Sequence, residues 1–260
     1  MAIKFVTNYP ALFISDKKFL VISDLHIGLE TELLRSGIKI HKQIEKFRET
    51  IDKLITLTKA TTLVILGDIK YKVPGMFTQE LRDIPKFFEY FSSKMKVIIA
   101  LGNHDDYLET LLPPKVKVYG SRGFKIGKYG FFHGHAWPSK KLLGCDYIFM
   151  GHIQPSVEFR DRLGYRNRQR VWLKAKFNEK TIREKYKVKK IGKLELVILP
   201  AFNNLSGSLN VAGDNKLSGP LLKSNAFSLE GSKAYLLDGT CIGDVRSLKK
   251  RFQKLLLPPA

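Results

Sequence analysis

The sequence predicts a layered α/β fold, and three observations carry that expectation. Short runs of β-branched and aromatic residues recur along the first 155 positions, with a helix-period segment between them. Each run is followed by a short polar cluster of His, Asp or Asn, with Gly in all but the first. Five of the six histidines fall inside those clusters. In layered α/β folds the C-terminal ends of the strands are where loops converge, so residues distant in sequence share one cavity there.

Taken in order, Phe19-Leu20-Val21-Ile22 reads as a buried strand leading into Asp24-Leu25-His26. A helical pattern follows over residues 40–57, with apolar positions at Ile40, Ile44, Phe47, Ile51, Leu54 and Ile55. The remaining histidine, His41, is assigned to that helix's surface or end. Leu63-Val64-Ile65-Leu66 leads into Gly67-Asp68, and the Lys70 and Tyr71 that follow either line a substrate entrance or are ordinary loop residues. Residues 97–101 lead into Gly102-Asn103-His104-Asp105, residues 129–132 into His133-Gly134-His135, and residues 147–150 into Gly151-His152. Beyond these, residues 171–177 alternate as a strand, and residues 180–190 read as a loop or mobile excursion. Residues 194–200 read as another strand, followed by Asn203 and Asn204, which either approach the site or simply make turns. A Gly/Ser/Asn-rich stretch runs on to position 218; closing strands are expected within 226–237 and a basic amphipathic helix over 245–256. No repeat or long linker divides the chain, so residues 1–260 are expected to form one domain.

The polar clusters differ in weight. A D-x-H triplet or a Gly-Asp pair is common in strand-end turns. Gly-Asn-His-Asp arises by chance in roughly one chain in a thousand of this length. Neutral imidazole and carboxylate suit Mn, Fe, Zn or Ni, and one carboxylate can bridge two ions ~4 Å apart. The set as a whole reads as a dispersed two-metal site.

In order and spacing, these motifs resemble the calcineurin-like metallophosphoesterase superfamily over about the first 155 residues. The stretch from Asp24-Leu25-His26-Ile27-Gly28 through Glu30 to Gly37 further resembles an archaeal branch related to the SbcD nuclease subunit and to bacterial ligase-associated DNA phosphoesterases. The resemblance implies a four-layer α/β sandwich of two mixed β-sheets flanked by helices, with the metal site at one edge. It implies two divalent ions, with Mn²⁺ expected ahead of Fe, Zn or Ni. Asp24 and His26 would hold the first, Asp68 would bridge, and Asn103, His133 and His152 would complete the second. A hydroxide held between the ions would attack phosphorus in line. His104 would be no ligand but would face the scissile phosphate, with Asp105 orienting its ring. The pattern departs in one place, because the superfamily's last motif ends in a second histidine where this chain has Gln154. A neutral amide oxygen holds a borderline ion less tightly than imidazole does. Either His133 or His135 can serve as the ligand; His133 is favoured because it directly follows the apolar run.

Charge is the second informative property. With 45 Lys and Arg against 24 Asp and Glu, the net charge is +21, and much of it lies within residues 158–193. A nucleic acid or other polyanion beside the metal cleft is one reading, and a solvated charged face is the other. Tyr165, Trp172 and Tyr186 either stack bases or belong to the core. The two cysteines, Cys145 and Cys241, have no framework spacing, which fits a reducing cytoplasm. Neither a signal peptide nor a run of ~18 apolar residues is present, so no membrane association is expected. Protein partners are not specified. Three functions are consistent with these residues: a metal-dependent phosphodiesterase or nuclease acting on nucleic acid, a phosphoesterase for a small molecule or nucleotide, and a binding protein with a decayed site.

Overall fold

The computed structural model describes residues 2–161, 163–213 and 219–256, with side chains to Arg251. Among them the first sheet holds six strands in chain order: β1 (Ile3–Phe5), β2 (Leu12–Ile14), β3 (Phe19–Ile22), β4 (Thr62–Ile65), β5 (Lys96–Ala100) and β6 (Lys117–Tyr119). Strands β1 to β3 pair antiparallel, and β3 to β6 parallel. The crossovers carry α1 (Leu29–Arg35) and α2 (Ile44–Thr58) after β3, and α3 (Thr78–Lys94) after β4. The second sheet is built from β7 (Phe124–Ile126), β8 (Tyr129–Phe132), β9 (Tyr147–Met150), β10 (Pro155–Arg160), β11 (Arg166–Lys176), β12 (Glu195–Ile198), β13 (Leu209–Asn210), β14 (Lys233–Leu236) and β15 (Cys241–Asp244). Its order is β13-β10-β11-β12-β9-β8-β7, with β14 pairing to β11 and β15. Helices α4 (Glu179–Tyr186), α5 (Pro220–Lys223) and α6 (Val245–Leu256) belong to this half.

The continuous apolar runs exist because both faces of each sheet are covered. Successive side chains of a strand point to opposite faces. Leu20, Ile22, Leu63, Ile65, Val97 and Ile99 pack with Ile51, Leu54, Phe87 and Phe91 of α2 and α3. Their neighbours Val21, Val64 and Ile98 instead meet Phe131, Phe149, Trp172 and Val197 of the second sheet. The far face of that sheet, through Phe132, Ile148 and Met150, packs against Leu142, Ile182, Leu221 and Val245. Helix, sheet, sheet, helix is the four-layer order the motifs led us to expect. Each large side chain buried this way contributes about 1.5–3 kcal/mol relative to exposure.

Several elements differ from the sequence reading, each for a local reason. Helix α2 begins at Ile44 rather than 40, because the buried Glu30 carboxylate accepts the Gln43 amide at 3.1 Å and fixes the helix entry there. His41 is exposed, outside that helix. Helix α3 was not foreseen, since Pro85 interrupts its pattern; Ile84, Phe87, Phe88 and Phe91 nonetheless bury one face. Residues 180–190 are not a mobile excursion. Helix α4 starts where the Asn178 side chain accepts the amides of Lys180 and Thr181, and it is anchored by the fully buried Ile182. Strand β11 starts at Arg166, so the first half of the basic segment is sheet. Trp172 is fully buried and stacks on Phe5 at 4.4 Å, and the half-buried Tyr186 hydroxyl donates to the Pro138 carbonyl. Both are packing residues; Tyr165 alone of the three aromatics is exposed.

Candidate metal centre

The strand ends of both sheets are stitched into one edge by backbone hydrogen bonds. Asp24 and His26 donate their amides to the Gly67 and Asp68 carbonyls at 3.1 and 2.9 Å, and Gly151 donates to the His133 carbonyl at 2.9 Å. The loop after β12 closes the ring, with Phe202 and Asn203 donating to the Ser23 and Asp24 carbonyls at 2.8 and 3.2 Å. The fully buried Asn203 side chain donates to the Leu25 carbonyl at 2.9 Å, so this asparagine holds the first metal-loop in place. Ser23, unremarked in the sequence, donates its hydroxyl to Asp24 at 2.5 Å and to the Leu66 carbonyl at 2.9 Å.

Backbone strain gathers at this edge. Asp24, His26, Asp68, His152 and Gln154 all have left-handed φ, at 58°, 44°, 52°, 67° and 49°. Each such residue costs of order 1–3 kcal/mol, and persists only where the surroundings over-determine it. Glycine is required where the loops touch. A Cβ on Gly151 would lie 1.7 Å from Ser23 Oγ and 2.6 Å from Asp24 Oδ2. Gly151→Ala is therefore expected to destabilise by about 1–3 kcal/mol and to displace Asp24. Thermal melting together with metal binding checks this; an unchanged melting temperature and affinity would contradict it.

At the centre lies Asp68, almost fully buried. Its Oδ2 is 3.1 Å from His133 Nε2 and 3.8 Å from His26 Nε2, and its Oδ1 accepts the His104 amide at 3.0 Å. Two sets of donor atoms form around it, each within 4.8 Å: His26, Asp68 and His104, and Asp68, His133 and His152. Beside the first set, the Gln154 amide nitrogen lies 3.1 Å from Asp24 Oδ1 and 2.8 Å from His26 Nε2. Turning that carboxamide over would present its oxygen at the same point. His133 is fully buried with Nδ1 2.6 Å from the Leu66 carbonyl, which leaves Nε2 to face Asp68. The His135 ring sits 5.3 Å from His133 and 6.0 Å from His152. Asn103 is exposed.

This donor set fits cations. His26 Nδ1 and His135 Nδ1 are buried ring nitrogens without a hydrogen-bond partner among the described residues, and such nitrogens are costly unless something satisfies them. Protonation follows the same logic. Burial pushes Asp24 up to about 7, with His133 opposing and Asp68 adding to the rise. Burial also raises the Asp68 carboxyl, but the His133 and His26 rings outweigh it and hold Asp68 well below the usual carboxylate range. Against its own burial, His133 is held up to about 9 by Asp68 and Asp24. Burial brings His26 and His152 down to about 4, so both rings are neutral at pH 7.

The neighbouring loop corrects one expectation and decides one open alternative. Asp105 does not orient the His104 ring, because its carboxylate is used on backbone amides: Oδ1 accepts from Ile69 at 2.8 Å and Oδ2 from Gly102 at 2.8 Å. The partner of His104 Nδ1 is the Tyr71 carbonyl, at 2.6 Å. Lys70 does not line an entrance; it is fully buried, with Nζ bonded to the Lys72 and Gly75 carbonyls and to Asp106. Glu80, also fully buried, accepts the amides of Tyr71 and Lys72 at 2.8 and 2.9 Å. The two buried charges thus fix the loop whose carbonyl holds His104.

A layered sandwich with histidines and carboxylates gathered at its strand-end edge is the architecture of a metal-dependent hydrolase. The sequence model of the calcineurin-like phosphoesterases matches residues 17–229. The chain belongs to that family and is a phosphate ester hydrolase. Among solved structures it is similar to the nuclease MPE of Pseudomonas putida, with 18% identity, a TM-score of 0.53, and coverage of 88% of this chain and 89% of that one. It is also similar to YfcE, a phosphoesterase from E. coli, with 15% identity, a TM-score of 0.41, and coverage of 86% and 96%. A comparison with curated proteins gave no match. Among the described residues no helix is long and apolar enough to cross a membrane.

Proposed function

We propose that the protein is a dinuclear metal-dependent phosphodiesterase acting on nucleic acid. The observation that carries the dinuclear reading is the position of the Asp68 carboxylate between two histidines assigned to different ions, with Oδ2 3.8 Å from His26 Nε2 and 3.1 Å from His133 Nε2. Asp24, His26 and Gln154 complete the first position; Asn103, His133 and His152 complete the second. Mn²⁺ is the ion we assign first, as harder donors such as Gln154 and Asn103 stand beside imidazoles. Bound cations lower the pKa of water and neutralise charge on phosphoryl oxygens. The chain supplies the rest. Its loops hold Asp24, His26, Asp68, His152 and Gln154 in left-handed conformations. His104, anchored through Nδ1 to a carbonyl that accepts in either protonation state, keeps its orientation while Nε2 gives a proton to the leaving oxygen.

Cation binding and protonation compete at this site. To bind, His133 must lose a proton held up to about 9, and Asp24 one held up to about 7, whereas His26 and His152 are already neutral. Binding at pH 7 is therefore expected to release about one to two protons, and affinity to rise with pH by roughly tenfold or more per unit between 6 and 8. Calorimetry in buffers of different ionisation enthalpy reads the release directly. A heat independent of buffer would refute this ligand set.

The net charge of +21 supports a polymer of phosphates as substrate. The test is hydrolysis of bis-p-nitrophenyl phosphate and p-nitrophenyl phosphate after metal stripping and Mn²⁺ addition, with single-stranded DNA and RNA in parallel. Metal-dependent cleavage of polymer supports the reading. Turnover of the small diester with neither cleavage nor binding of polymer would replace it with a small-molecule phosphoesterase.

A further inference from the structure

We propose that the β10–β11 hairpin is the arm through which the protein engages a nucleic-acid strand, its basic face following the phosphates and its tip inserting between bases. The proposal rests on the nucleic-acid reading above. Its root lies at the metal centre: β10 begins at Pro155, directly after Gln154, and Arg170 of β11 donates to the Ala201 and Phe202 carbonyls beneath the first metal-loop at 2.8 and 3.2 Å. Six residues of strand reach ~20 Å outward from there.

The register sorts the side chains of this ribbon. Directly opposed residues share a face, and the pairs Ser156 with Arg170, Glu158 with Arg168 and Arg160 with Arg166 lie on one. The other face carries Val157, fully buried in the core of the second sheet, with Phe159 packed against the same cluster. Arg160, Arg166 and Arg168 with Glu158 therefore line the outer part of the face turned away from the core, while Arg170 at the root is tied to backbone carbonyls. Alternate residues along a strand stand ~6.6–6.8 Å apart, of the order of the separation between neighbouring phosphates along a nucleic-acid strand. Glu158 spreads Arg168 and Arg166, at 3.1 and 3.7 Å, and such exposed pairs are weak enough for a phosphate to displace.

The Asp161 carboxylate accepts the amides of Leu163 and Tyr165, both at 2.9 Å, and the Asp161 amide donates to the Tyr165 carbonyl at 3.0 Å. This turn holds Leu163 95% exposed and Tyr165 70% exposed. An aliphatic wedge beside an aromatic ring, flanked by arginines, is suited to unstacked bases.

The test compares Leu163→Ser/Tyr165→Ser and Arg166→Gln/Arg168→Gln with wild type, by anisotropy of a labelled single-stranded DNA oligonucleotide across salt concentrations. Turnover of bis-p-nitrophenyl phosphate, too short to reach the ribbon, reports that the site and fold are intact. The arginine variant is expected to lower the log–log salt slope by ~1.4, about 0.7 for each lost contact. The tip variant is expected to weaken binding about tenfold with the slope unchanged. If wild type binds DNA and both variants bind equally well, the arm is wrong while the nucleic-acid reading stands. If wild type binds neither DNA nor RNA but turns over the small diester, the nucleic-acid reading fails and the arm with it. A tip variant that changes sedimentation mass while binding DNA as wild type does would make the tip a self-association surface and overturn the proposal.

Discussion

Asp68→Asn is expected to empty both cation positions together and to reduce diester turnover by more than 100-fold. Changes to residues that merely orient a ligand cost ~10–100-fold in metal affinity, and Asp68 is the only residue in both donor sets. The amide is nearly isosteric, so the hydrogen bond from the His104 amide to Oδ1 can persist and the loop should stay folded. What disappears is the charge. In the wild type that charge holds the His133 ring up to about 9 against its own burial; without it, His133 should titrate lower than in the wild type. Metal analysis, turnover and the His133 ring signals by NMR are read on the same sample. Loss of one ion with retention of the other would deny the shared role, and unchanged stoichiometry would deny ligation altogether.

That these residues lie together was legible in the sequence because strand ends are. A four-residue apolar run with its polar cluster marks both the strand and the edge it points to, and Asp24, His26, Asp68, His133, His152 and Gln154 all converge as that logic requires. Periodicity could not tell which of two faces a residue serves, so the four layers came from the motifs' resemblance. What stayed hidden depends on backbone direction. Nothing in Gly102-Asn103-His104-Asp105 says that the aspartate turns back onto the amides of Ile69 and Gly102 rather than towards the histidine beside it. Helix α4 stayed hidden for a different reason: one buried isoleucine among charges carries too little pattern, and the cap at Asn178 decides it. Lys70, open in the sequence between an entrance and an ordinary loop, is decided by three oxygen acceptors assembled around its buried Nζ.

That hidden arrangement bears on His104→Ala, for which turnover should fall about 10²–10⁴-fold while metal content stays near wild type. The ring lies against His26 at a centroid distance of 4.9 Å, close enough that ligation and acid catalysis predict opposite metal results. The geometry favours the acid. Nδ1 is engaged by the Tyr71 carbonyl, and that carbonyl is fixed by Glu80 on the adjacent amides and by buried Lys70 across the loop. A ring held from behind by a neutral acceptor presents Nε2 at constant orientation, as proton transfer to a leaving oxygen requires. Two comparisons separate this role from a structural one. Substrates with a leaving group of low pKa need little protonation, so the loss on His104→Ala should be smaller for p-nitrophenolate than for an alkoxide or nucleoside leaving group. Asp105→Asn, by contrast, removes charge from a residue that holds only backbone amides, and should lower the melting temperature without that leaving-group dependence. If His104→Ala loses metal, or loses rate equally for every leaving group, the ring is a ligand or a prop and the assignment as acid fails.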